Sequence, residues 1–197
     1  MTTIVYKKSY SAPPIDRREA LRYAGARGDS DELSALLDRC IEESEGILSY
    51  SLCYAEFPLT RVENSLDFGF AEVRSEKLSA HLEGCSRIII LAATVGIELD
   101  RLIAKYSRIS PAKALLLQGL GAERIEALAD KFCGDLVAGG LVITPRFSAG
   151  YGDLSLELQR DIFRVLDCQR KIGLTLNESL LMSPTKSITA IIGIKES

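Results

Sequence analysis

Two periods divide the chain. Apolar residues recur at three- and four-residue spacing over 30–46 (Leu33, Leu36, Leu37, Cys40, Ile41) and over 111–138 (Leu116, Leu117, Leu120, Ala127, Leu128, Phe132, Leu136). They do so again over 154–166 (Leu154, Leu158, Ile162, Val165). That spacing lines up one face of a helix. Over 49–57 the side chains alternate, with Tyr50, Leu52, Tyr54 and Glu56 on one side and Ser51, Cys53 and Ala55 on the other. This predicts a strand. Residues 87–93 are apolar and β-branched almost throughout, which predicts a central strand buried on both faces.

Punctuation residues set the ends. Asp16 is placed to cap a short helix over 16–25, with Glu19 completing a capping box and Gly25 as the stop. A loop through Gly28 leads to the next helix, whose other face is an acidic, solvated stripe of Asp38, Glu42, Glu43 and Glu45. Pro111 suits an early helical position, and Gly139-Gly140 ends that long helix. Gly119 and Gly121 lie inside it, each costing about 1 kcal/mol relative to Ala, and they imply close packing or a kink. Asp153 reads as the N-cap of 154–166, and a further turn over 168–172 stops at Gly173. Residues 3–10 fit an edge strand closed by Pro13-Pro14. Short strands are expected over 61–63 and 66–70, and helices over 75–84 and 97–106. The chain ends as a hairpin, 179–182 and 187–194 around a turn at 183–186. Helices cluster between groups of strands without regular βαβ alternation. The expected class is α+β, a mostly antiparallel sheet flanked by helices, in one unit over 1–197.

Composition narrows the function. The 197 residues are 47% hydrophobic and 26% charged, which excludes disorder. A net charge of −3 with mixed signs argues against a nucleic-acid binder. No apolar run reaches membrane-spanning length and no secretory signal is evident, so a cytoplasmic location is expected. Cys40, Cys53, Cys85, Cys133 and Cys168 are scattered, without metal-ligand spacing. His81 is the single histidine, and without a Ser/Cys–His pair in view hydrolase triads are disfavoured. No metal site and no catalytic acid/base pair is nominated.

Candidate chemistry gathers in 141–153. A short apolar run, read as a strand, breaks into Pro145, Arg146, Gly150, Tyr151 and Gly152. Arginine offers a planar fork of donors for a carboxylate or phosphate, tyrosine a flat face, and glycine a close backbone approach. The alternative for these residues alone is a strand-to-helix turn with a solvated arginine.

The pattern Arg146-x-x-x-Gly150-Tyr151-Gly152, then a helix, then Ile172-Gly-Leu-Thr-Leu-Asn-Glu178-Ser179-x-x-Met182-x-Pro184-x-x-Ser187 resembles the activation domain of cobalamin-dependent methionine synthase. It looks more like the small stand-alone members of that family. Ala93-Thr-Val-Gly96 and Glu126-Ala-Leu-Ala-Asp130 are similar too, and the match is best over about 86–193. Phe147 and Ala149 stand where the family carries prolines.

The resemblance implies an α+β fold that binds S-adenosylmethionine. It implies presentation of the methyl group to an inactive cob(II)alamin while a donor such as flavodoxin reduces it. It assigns Arg146 to the ligand carboxylate, Glu126 to its amino group, Ser148 to a backbone contact, and Gly150 and Tyr151 to the pocket wall. Cobalamin would arrive on a partner, a separate corrinoid-bearing methyltransferase. Two alternatives stand beside this reading: a docking or chaperone module for a corrinoid protein with a degenerate pocket, and an unrelated small-molecule enzyme on the same scaffold.

Overall fold

The computed structural model describes residues 3–26 and 30–195; the loop at Gly28 lies outside the described residues. In chain order the elements are β1 (Tyr6–Tyr10), α1 (Arg17–Tyr23), α2 (Asp31–Ser44), β2 (Tyr50–Pro58), β3 (Thr60–Val62), β4 (Ser65–Asp67), β5 (Glu72–Val73) and α3 (Glu76–His81). They continue with β6 (Cys85–Thr94), α4 (Glu98–Ile109), α5 (Pro111–Ala138), α6 (Leu158–Leu166), α7 (Cys168–Ile172), β7 (Thr175–Leu176), β8 (Met182–Ser183) and β9 (Ser187–Lys195). The main sheet is antiparallel throughout, in the order β1-β2-β6-β9. This is the α+β architecture that the patterning predicts.

β6 is central, as its composition requires. Ile90 stands opposite Ala55 on one side and Ile191 on the other. Its side chains alternate between two cores. Ile89, Leu91 and Ala93 pack under α1, α2, α4 and α5 with Leu37, Leu117, Leu128 and Phe132. Ile88, Ile90 and Ala92 pack under α3, α6 and α7 with Leu78, Leu82, Leu158 and Ile162. Burial on both faces explains why the strand reads as a continuous apolar run.

Gly119 and Gly121 serve packing. A Cβ at 119 would sit 2.4 Å from the Ala20 carbonyl oxygen, so α1 meets α5 backbone to backbone. A Cβ at 121 would sit 2.6 Å from Leu99 Cδ2.

Five local expectations are corrected. The run at 141–144 forms no regular strand. Pro145 lacks an N–H, and the segment instead lies along the free edge of β9 through single bridges, Ile143 to Ile194 and Phe147 to Ile191. Glu19 does not close a capping box. It pairs with Arg22, and the Asp16 N–H donates to Glu123 Oε1 instead. Asp153 does not cap the helix that follows it; that helix starts at Leu158, and Asp153 caps α3. The terminal hairpin is 175–176 with 182–183, which leaves β9 free to join the main sheet. The acidic stripe of α2 is not merely solvated: Glu43 accepts from Tyr106, Lys105 and Lys113.

Candidate functional site

Arg146 is fixed from both sides in the chain. Thr144 N–H donates to the Gly193 carbonyl at 2.9 Å, and Phe147 N–H donates to the Ile191 carbonyl at 2.9 Å. Between these anchors the guanidinium reaches across to α5. Nη2 lies 2.6 Å from Glu126 Oε2 and Nη1 lies 2.5 Å from Asp130 Oδ1. Glu126 and Asp130 are four residues apart, hence neighbours on one helix face. Cys133, a further turn along, puts its sulfur 3.8 Å from Nη1.

These groups line a cleft of about 590 Å³ with Ile143, Thr144, Pro145, Ser148 and Ile188. The arginine side chain is 20% exposed, Glu126 40% and Asp130 71%, so the cation is deep and its partners are at the rim. Burial alone pushes the Arg146 guanidinium down, but the bonds to Asp130 and Cys133 and the Glu126 charge overcome it; the net shift is upward and the group stays charged. Two carboxylates on one guanidinium leave one negative charge in excess.

The structure brings Arg146, Glu126 and Ser148 into one cleft. The Ser148 hydroxyl donates to the Thr189 carbonyl at 2.9 Å. Gly150 and Tyr151 are not among the lining residues. Gly150 sits at φ +87°, which turns the loop, and Tyr151 is 67% exposed with its ring edge-on to Phe147 at 5.3 Å. Sequence reasoning left Asp130, Cys133 and Thr144 out of the site. The signal for the first two was the 126/130/133 spacing on a helix opposite a loop arginine. Thr144 had no signal of its own, because its place depends on β9.

Among the described residues no cluster of three His, Cys, Asp or Glu side chains could hold a metal ion, and no helix is long and apolar enough to cross a membrane. All five cysteines are free.

A central antiparallel sheet, cores on both faces and a cation-bearing edge segment opposite a long helix define an α+β domain. A crystal structure of the MetH reactivation domain bound to AdoHcy matches this chain with a TM-score of 0.71 at 16% identity, covering 96% of this chain and 78% of that one. The fold implied by the motifs around Arg146 is the fold the chain adopts. No family model and no curated protein matches the sequence significantly.

Proposed function

We propose that the protein binds S-adenosylmethionine in the Arg146 cleft and supports reductive methylation of cob(II)alamin on a separate corrinoid methyltransferase. One observation carries this reading: a half-buried cation and a rim acid converge in one cleft of a fold whose solved neighbour holds AdoHcy. The donor set fits the amino-acid end of the ligand. Arg146 suits a carboxylate through its planar fork, and Glu126 suits an ammonium group.

Arg146 is already paired, so binding is an exchange of partners. Asp130 is the more exposed acid and the one a ligand carboxylate would replace at Nη1. Glu126 would turn from the guanidinium to the ammonium. The ligand supplies the methyl group, and a partner such as flavodoxin supplies the electron. The protein's own part is to hold and orient the donor. Gly150 and Tyr151 are assigned to the wall that closes over the ligand beside the cleft.

Calorimetry with S-adenosylmethionine on the wild type and Arg146→Ala tests the reading. Binding in the wild type and its loss in the variant are expected. No heat from the wild type at millimolar ligand overturns it. The docking-module reading draws on a different observation: two carboxylates already occupy the guanidinium. A corrinoid protein retained by both wild type and Arg146→Ala, with no ligand bound by either, would favour that reading.

A further inference from the structure

We infer that α3 sets the conformation of the loop that carries Arg146, with His81 and Asp153 as its two fastenings. The inference rests on the reading of the cleft as the ligand site, because it assigns His81 as a positioning residue for that cleft.

The loop is held to α3 at both ends. At the C-terminal end of the helix, His81 Nε2 lies 2.7 Å from the Pro145 carbonyl oxygen, so this nitrogen carries the proton and donates it. Pro145 is the residue before Arg146. The His81 ring lies 5.2 Å from that of Phe147, the residue after Arg146. At the other end, Asp153 accepts from Ser75 Oγ at 2.5 Å and from the Glu76 N–H at 2.7 Å. The Ser75 hydroxyl and these backbone donors hold the Asp153 carboxyl below its usual range. Beside it, Gly152 stands at φ +64°, and a Cβ there would come 2.6 Å from Lys77 Cδ.

A fastening works only if its anchor is itself fixed. Leu78 and Leu82 are fully buried in the second core. Arg61 closes the C-terminal turn of α3 by donating to Ser79 Oγ at 2.6 Å, the Ser79 carbonyl at 3.1 Å and the Leu82 carbonyl at 3.0 Å. Alternate positions around Arg146 are thus assigned to different supports: 144 and 147 to β9, 145 and 153 to α3. Neither His81 nor Asp153 lines the cleft, so each acts through the loop.

The test compares His81→Leu with His81→Gln, whose side-chain amide can still donate to Pro145. Hydrogen exchange at Phe147, Gly150 and Tyr151, whose N–H groups bond Ile191, Leu154 and Ser148, reads the loop. Calorimetry with S-adenosylmethionine reads the cleft. His81→Leu is expected to raise loop exchange roughly tenfold with β6 and α5 unchanged. It is expected to weaken binding about five- to tenfold, and His81→Gln to restore both. Asp153→Ala releases the other end and should loosen the same amides, which keeps the inference open to refutation if His81→Leu does not fold. Unchanged loop exchange in these variants overturns the inference, as does a loosened loop with unaltered affinity. A wild type that binds no S-adenosylmethionine overturns the ligand reading instead, and loop exchange then decides on the α3 fastening by itself.

Discussion

Two arginines, one within α5 and one facing it, are held in opposite ways. Arg124 is 1% exposed, and its partners are fixed: Glu123 beside it in the chain, the buried Tyr50, and the carbonyls of Pro13 and Pro14 at 2.6 and 2.7 Å. Arg146 arrives from a loop, and its partners are two carboxylates at the rim of a cleft. The first arrangement is closed; nothing in it can leave without stranding a buried charge. The second is open, because Glu126 and Asp130 stand at the rim, where water can satisfy either carboxylate. A charge network held by backbone carbonyls is fixed by the fold, whereas one held by exposed acids is fixed only by the acids themselves.

The largest expected effect breaks the closed network. Arg124→Leu leaves the buried Glu123 carboxylate without its cation and with only the Asp16 N–H as a donor, and chemical denaturation should show a loss of about 3–5 kcal/mol. The matching change in the open one, Arg146→Ala, should cost at most about 1 kcal/mol of stability, while S-adenosylmethionine binding falls below calorimetric detection. Equal destabilisation by the two would dissolve the distinction. A smaller effect sharpens it: Asp130→Asn removes the competing charge at Nη1 and should tighten ligand binding about three- to tenfold, by roughly 1 kcal/mol. Weaker binding in that variant would make Asp130 a ligand contact and not a competitor.

The smallest effect concerns a third cluster that resembles neither. The hydrogen bond from Lys113, with Tyr106 and Lys105 beside it, holds the Glu43 carboxyl down at about 2. A depressed acid contributes stability above its unfolded range near 4.5, and that contribution is lost as pH falls through the folded value. Glu43→Gln should therefore cost about 1 kcal/mol at neutral pH, and the gap to wild type should close between about pH 4.5 and 2. A gap that persists below pH 2 would assign the cost to packing.

Much of this was legible in the chain because it is local. The Asp16 cap, the apolar run at 87–93 and the three- and four-residue rhythm of α5 depend on neighbours within a turn or a strand. Arg146 and Glu126 were legible through motif resemblance, and the structure puts them in contact. What was not legible depends on residues far away in sequence. Asp153 precedes an apolar helix and has a cap's chemistry, yet the N–H groups it meets belong to Glu76 and Lys77. An acid goes to whichever helix start tertiary packing brings nearest, and sequence spacing cannot rank the two. Asp16 and Glu19 fail as a box for the same reason, since Glu123 reaches the Asp16 N–H first. The edge segment at 142–147 escapes a strand pattern because Pro145 interrupts its ladder while β9 still holds it.

The contact between α1 and α5 at Gly119 bears on how sequences of this shape can diverge. A core leucine can become isoleucine or methionine with repacking, and an exposed rim acid can be replaced at little cost in stability. A Cβ at 119 would lie within 2.7 Å of two backbone atoms, the Ala20 carbonyl oxygen of α1 and the nitrogen of its C-cap Ala24, and backbone has no rotamer by which to step aside. At Gly121 on the same helix the obstructing atoms belong to the side chains of Leu99 and Lys186, which can shift; at 119 they include backbone, which cannot. Distant relatives that keep this helix pairing should therefore be recognisable by a glycine in the middle of their longest helix after the charged loop has ceased to align.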